Sequence, residues 1–449
     1  MLGHTGKIRS VTFGVLLAMG SSGISVSGAL ANTDTLETKR QALFQRMLQQ
    51  PDNLNLAFSY ATLSVRVGDL EGAVSTLERM LIFSPGLARL QLELGILYYR
   101  LGNFDTSQSY FKAALSGENT SSVIRLRAEE YLELVEKRLK RFRVSTKSFF
   151  GLRWQSNANS GPADRSVILN GLPVTLGVNT KKKSGFGAVA TSRIHMEYDL
   201  ESQGDKLELD YVDYATLQFG QSRLNATVSE VTFGPAFNLA RFEIDDTFAS
   251  VYAIVNGAML NQKAYFGSLG IGTRLVTQPN RNMQIAFKGE YRRQWFDQTR
   301  QRPLAKDRNG NEFRGIGQIR YRFSPDLRGI FSTRVSRRDR RRDYYDYWEF
   351  GGYAQFDWNF DPDGMSKEKP WTLSTSAGYL RRDYDAPDPA VSATRKQNDD
   401  EYWVGGKLRV PLTKKWAIMP KAEYRQVNSN NPIRDYKAFT ATIGVEYRR

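Results

Sequence analysis

Histidine and cysteine supply most of the nucleophilic, general-base and metal-ligating chemistry available near neutral pH, and this chain of 449 residues has two histidines and no cysteine. His4 lies in a leader-like N-terminal segment, so His195 stands alone in the rest of the chain. A two-histidine metal site or a His-Glu-x-x-His helix cannot be built there. A serine nucleophile would have to rely on His195, and no nucleophile-elbow context surrounds one. Arg193 and Glu197 flank His195 at a spacing of two, which puts all three on one face of an extended strand. That spacing makes His195 a member of a charged network rather than a catalytic base. No catalytic residue, metal set or cofactor is expected.

Charge at alternate positions is the chemistry that remains. The chain carries a net +16, and its basic residues fall on one parity of successive segments: Arg314, Arg320, Arg322, Arg328, Arg334, Lys407, Arg409, Lys421 and Arg425. Glu290, Glu349, Asp357, Glu423 and Glu446 are interleaved with them. Such a row can form a cationic path for anionic or partly unfolded cargo, or a network of internal ion pairs that stiffens a narrow barrel. The second reading is preferred.

The elements that must hold this row have a period of two. Met283, Ile285, Phe287, Tyr291 and Trp295 alternate with Gln284, Lys288, Glu290, Arg292 and Gln294, and the pattern recurs near 313–323, 347–360, 402–410 and 439–447. Trp154, Trp295, Trp348, Trp358, Trp371, Trp403 and Trp416 sit where apolar faces begin or end, as in the aromatic girdles of an outer-membrane barrel. Short turns such as QPNRN, FSPDL and LTKKW alternate with long loops at 297–311, 338–344 and 385–400. The first strand runs into FFGLRWQSNANSGP, where alternation gives way to Asn, Ser, Gly and Pro at a solvent boundary. Fourteen strands are counted on this basis, with a bulge or two-sided burial needed where alternation breaks at 210–213 and 251–255. The apolar segment 166–178 of the first loop is expected to fold into the barrel mouth or cap it.

Ahead of the barrel the period is helical and the sequence repeats every 34 residues. That shift overlays Pro51 on Pro85, Leu43 on Leu77 on Phe111, Gly68 on Gly102, and Ala61 on Gly95. The pattern resembles the tetratricopeptide repeat, read as a helix at 36–50, whole repeats at 54–84 and 88–116, and a last helix at 121–142. By that repeat's register, Asn55, Phe58, Thr62 and Arg66, with Arg89, Leu92, Tyr99 and Arg100, should face a concave, partly aromatic and basic groove. The N-terminus itself, with Lys7 and Arg9, an apolar centre and Ala29-Leu30-Ala31, reads as a secretory signal peptide. Export makes nucleic acid a poor partner despite the positive charge.

The fold class is thus α + β and multidomain: signal peptide 1–31, periplasmic repeat domain 32–142, and antiparallel outer-membrane barrel 143–449. Repeats followed by a barrel of about fourteen strands, with an Asn-rich segment after the first, resemble the surface lipoprotein assembly modulators, the Slam family. The resemblance implies an outer-membrane translocator, without chemistry of its own, whose repeats engage a periplasmic lipoprotein or secreted-protein client. Outer-membrane lipids and the barrel assembly machinery are the other implied partners. Exopolysaccharide exporters join longer repeat arrays to a barrel, and a passive porin with a helical appendage has the same outline; both stay open as alternatives.

Overall fold

A computed structural model describes residues 27–117, 120–300, 302–362 and 370–449. The expected signal peptide falls outside them except for its last residues, which open the first helix. Six helices come first: α1 Ser27–Gln49, α2 Leu54–Val67, α3 Leu70–Phe83, α4 Ala88–Arg100, α5 Phe104–Ser116 and α6 Ser122–Leu139. They resemble tetratricopeptide repeats. Asn53, Asp69 and Asn103 start α2, α3 and α5 by accepting backbone N–H groups that the first turn leaves unbonded. Gly68 and Gly102 adopt φ of 98° and 79° at the inter-helix turns, where a side chain would be strained. Gly95 is needed for a different reason. A Cβ there would lie 2.5 Å from the Phe111 ring, and the Gly95 carbonyl accepts the Ser107 hydroxyl at 2.7 Å. The small residue lets α4 and α5 approach closely.

One polar feature lies half-buried between these helices. The hydroxyls of Tyr98 and Tyr110 donate to the same Glu78 oxygen, at 2.6 and 3.3 Å, and their rings stack 5.5 Å apart. The hydrogen bond to Glu78, then desolvation, push the Tyr98 phenol up to about 12. Its acidity is weaker folded than unfolded, so its contribution to stability is complete below about pH 10 and is lost as pH rises toward 12. Thermal melts followed by helical circular dichroism should show the alkaline loss in the wild type and a smaller loss in Tyr98→Phe; equal slopes would remove Tyr98 as its source.

The remaining chain is strand. The elements are β1 Phe142–Gln155, β2 Ser166–Leu169, β3 Leu172–Thr175, β4 Gly185–Asp199, β5 Lys206–Phe219 and β6 Ala226–Asn238. They continue with β7 Thr247–Leu260, β8 Lys263–Asn280, β9 Met283–Phe296, β10 Gly310–Arg322, β11 Leu327–Arg340 and β12 Tyr347–Phe360. The last are β13 Trp371–Pro387, β14 Lys396–Pro411, β15 Trp416–Ile418, β16 Lys421–Ser429 and β17 Tyr436–Arg448. Apart from the β2–β3 hairpin, each pairs antiparallel with its neighbours, and β1 closes the sheet against β17 from Lys147↔Arg448 to Gln155↔Thr440. β15 and β16 are one strand in one register, Ala417↔Glu446 before the break and Lys421↔Thr442 after it. Pro420 has no N–H to give the ladder, which is why they separate. The barrel therefore has fourteen strands.

Its faces are inverted relative to a water-soluble protein. Phe287, Ile319, Phe350, Val404 and Ile443 point outward and are 56, 41, 47, 56 and 58% exposed, while Glu312, Glu349 and Glu446 point inward and are almost completely buried. Closure leaves no unpaired edge, so this outer face suits hydrocarbon. No helix among the described residues is long and apolar enough to cross a membrane. Trp154, Trp295 and Trp348 ring the end bearing the first loop, and Trp358, Trp371 and Trp416 ring the opposite end. Trp403 does not belong to a girdle. It pairs across from Gly378 and Arg425 on the inner face, with the Arg425 guanidinium 5.4 Å from its ring centre.

Other expectations are corrected in detail. β5 pairs with β4 without interruption, so no bulge occurs at 210–213: Asp210 faces inward and Asp213 outward. Around 251–255 both sides are apolar because Ile254 is buried inside the barrel. The segment 166–178 forms a hairpin whose Asn170 bonds the carbonyls of Pro389 and Val391 with its side chain and backbone N–H. It reaches the loop between β13 and β14, but Ile168 and Leu172 remain 69 and 66% exposed rather than buried in the mouth.

The facing assignment has a direct check. Charged thiol-reactive probes on native membranes should label Ile285→Cys, Ile319→Cys and Phe356→Cys poorly and Gln284→Cys and Gln318→Cys readily. Equal labelling would overturn it.

Candidate functional site

Two concave surfaces hold the predicted residues. The first lies on the helices: Asn55, Phe58, Thr62 and Arg66 of α2 share a cavity of about 440 Å³ with Arg89 of α4, Leu43, Ser59 and Leu63. The Arg89 guanidinium stands 4.4 Å above the Phe58 ring, a cation–π contact that fixes the charge at the rim. No carboxylate lines this groove. The other expected residues are not brought to it. Leu92 is 2% exposed, packed with Ile96, Phe111, Ala128 and Val135. Tyr99 lies edge-on to Phe104 and Tyr131, at 5.6 and 5.8 Å. The physical reason is α6, which covers the face of α4 that repeat register alone would leave open; Arg127 of α6 also meets Glu93 at 3.6 Å. Arg100 is exposed at the end of α4.

The second surface is the barrel lumen. Strand register brings acids and bases from neighbouring strands together on its wall. Glu349 of β12 receives Arg334 of β11 and, at 2.8 Å, Arg382 of β13, which also reaches Glu401 of β14 at 2.9 Å. Arg425 extends the chain to Glu401 and Glu423. On the other side Arg292 joins Glu230 and Glu290, Arg314 joins Glu290 and Glu312, and Arg338 joins Glu312. Arg409 donates to Glu446 at 2.8 Å, and Arg328 meets Asp357 at 3.6 Å.

The row is not uniformly paired. Arg320 has the Gln284 amide oxygen at 3.0 Å, and among the described residues no carboxylate pairs with Arg320, Arg322, Lys407 or Lys421. A cavity of about 800 Å³ opens on Arg320 together with Arg193, Arg274, Lys288, Gln318 and Trp403. Lys288 also has no acidic partner among the described residues. The lumen thus carries an ion-pair lattice over much of the wall and, in two places, cations with no carboxylate partner among the described residues. Sequence reasoning placed Lys288 on the polar face but missed Arg153 and Lys147 as wall residues, although their strand parity marks them as inward.

His195 lies in the lattice. Its Nδ1 is 3.2 Å from Asp210, across the β4–β5 ladder. Its imidazole approaches Glu197 and Glu208 closely enough to share a cation. Those carboxylates are already taken, Glu197 by Arg143 and Lys206, Glu208 by Arg274. The arrangement orders side chains on the wall.

Comparison with known proteins adds the family. No curated protein matches the chain. Among solved structures it is similar to MamA MSR-1, at 22% identity and TM-score 0.20 over 24% of this chain and 62% of that one. It is also similar to a tetratricopeptide repeat protein from Parabacteroides merdae, at 20% identity and TM-score 0.21 over 24% of this chain and 42% of that one. The chain thus spans less than two thirds of either of these structures. An anion-selective porin from Comamonas acidovorans is similar over 69% of this chain and 99% of its own, at 8% identity and TM-score 0.35. The profile of the surface lipoprotein assembly modifiers matches residues 206–448, more than half of the chain and twelve of the barrel's fourteen strands. The fourteen-stranded barrel is an outer-membrane barrel, and the chain belongs to the surface lipoprotein assembly modifier family.

Proposed function

We propose that this protein recognises a periplasmic lipoprotein, or a secreted protein, through its repeats and helps deliver it to the cell surface. The observation that carries the reading is the joining, in one chain, of a barrel of this family to a repeat array with an open groove. In the proposed layout the signal peptide is removed after Ala31, residues 32–142 stand in the periplasm and residues 143–449 span the outer membrane. The barrel assembly machinery would insert the barrel and outer-membrane lipids would surround it.

The groove suits a partner of particular character. Phe58 offers apolar surface worth about 25 cal/mol per Å² buried, and Arg66 and Arg89 favour acidic side chains beside it. An extended client segment with an apolar anchor and acidic flanks fits this combination. A translocator needs no proton transfer or covalent step, and the lumen's paired charges have no such role in this reading.

The test is client display. Intact cells producing a client lipoprotein are stained with antibody in strains with wild-type or altered groove, and heat-modifiable mobility reports barrel folding. Loss of display with a folded barrel supports the proposal. Unchanged display would reject the groove as the client site, and loss of small-solute uptake instead would identify a pore.

A further inference from the structure

Beside the closing seam, the inner wall carries more positive charge than its carboxylates neutralise. Lys407 of β14 and Lys421 of β16 are direct cross-strand partners, both facing the lumen. Like charges placed opposite one another on one face of an antiparallel pair destabilise it. No carboxylate forms a salt bridge with either among the described residues. Glu446, on the neighbouring strand, already takes Arg409 at 2.8 Å, Arg448 at 2.6 Å and Lys147 at 3.5 Å. The Lys421 ammonium instead lies 3.4 Å from the centre of the Phe149 ring.

A cavity of about 540 Å³ opens on this lysine pair. Arg153 lines it from β1, held by the Tyr214 hydroxyl at 2.7 Å and by Thr216 and without a carboxylate of its own among the described residues. Thr191, Ser374, Thr440 and Thr442 add hydroxyls. Glu423 is the single carboxylate on the lining, and Arg425 occupies it at 2.8 Å. The wall therefore presents point cations and hydroxyl groups around one space, and its one carboxylate is already engaged.

We propose that this cavity is a binding site for a doubly charged oxyanion of the phosphate class. Two ammonium groups without counterions match a dianion in charge, and lysine binds phosphate as a point charge. Hydroxyls from the neighbouring strands can donate to the remaining oxygens. The anion is either free phosphate or the phosphate monoester head of a lipid, since both present the same group to Lys407 and Lys421. The site explains why a costly lysine pair stands where one acidic substitution would relieve it.

The experiment uses the full-length protein purified in detergent, with inorganic phosphate as probe, followed by titration calorimetry and thermal unfolding. Wild-type protein is expected to bind phosphate and to melt at a higher temperature in its presence. Lys407→Gln with Lys421→Gln should weaken binding at least tenfold. Lys407→Glu should abolish binding while raising the melting temperature without phosphate, because the new carboxylate faces Lys421; a general loss of structure cannot give that combination. Nanodiscs of phosphatidylcholine with and without phosphatidic acid separate the sources. Stabilisation by phosphatidic acid that is lost in the double lysine variant identifies a lipid phosphate, and binding of inorganic phosphate alone identifies the free ion. Absence of both in the wild type, or binding unchanged in the double variant, would overturn the site. None of these readouts involves a client, so failure here and failure of the proposed translocation role are distinguishable.

Discussion

Surface display of the client lipoprotein is expected to fall at least tenfold in a strain carrying Phe58→Ala and Arg89→Ala, while the barrel keeps its heat-modifiable mobility. The two side chains act as one unit, the Arg89 guanidinium lying 4.4 Å from the Phe58 ring centre. Truncating the ring removes the apolar anchor, and truncating Arg89 removes both the cation over it and part of the attraction for acidic clients. A lost aromatic anchor costs about 2 kcal/mol or more at a binding surface, which corresponds to more than a tenfold fall in affinity. Arg89 is exposed and Phe58 is only half-buried at the edge of the helical core, so the repeats should lose some stability but still fold without them. Leu92→Ala is the instructive contrast. That residue is sealed in the core, and its truncation should unfold the last repeat at about 2–5 kcal/mol rather than weaken a surface contact. Display that persists beside a folded barrel in the Phe58, Arg89 variant would place client recognition elsewhere.

The difference between Phe58 and Leu92 also shows where sequence stops being informative. Both occupy groove positions by repeat register, and register is a local property that a 34-residue period exposes well. Whether a groove position stays open depends on what docks over it: Leu92 lies one repeat after Phe58, and α6, which starts 34 residues after α4, packs on it with Ala128 and Val135. In the barrel, parity was readable wherever large apolar and charged residues alternate, which is why Phe287, Ile319 and Phe350 face outward as expected. Trp403 was misassigned although parity was available: its neighbours Tyr402 and Val404 are outward, so Trp403 had to point inward. The habit of tryptophan at membrane interfaces outweighed the alternation. Cross-strand partners are a third kind of fact. Lys407 and Lys421 could be paired on paper because they lie symmetrically about the short LTKK turn. Arg143 and Glu197, separated by a long loop and a hairpin, could not.

Within the barrel, the ion-pair lattice yields the largest expected loss of stability, from Glu349→Gln. Glu349 is 2% exposed and holds two guanidiniums from the strands on either side, Arg334 and Arg382. Gln preserves the shape and can still accept a hydrogen bond, but it leaves both cations without that charge. Removing one member of a buried pair costs about 3–5 kcal/mol because the partner charge stays behind desolvated. Two features reduce the loss toward about 3 kcal/mol, the lower end of that range: the Arg334 side chain is 36% exposed to the lumen, and Arg382 retains Glu401 at 2.9 Å. The comparison with Arg328 separates burial from simple charge counting. Arg328 meets Asp357 at 3.6 Å and is 53% exposed, so Arg328→Gln should change stability by no more than about 1 kcal/mol. Urea unfolding followed by heat-modifiable mobility measures both variants against wild type. If the two substitutions proved equally mild, water would be screening the whole lumen and the lattice would contribute little; if Glu349→Gln alone lowered the midpoint strongly, the β11–β13 wall would be held by this carboxylate.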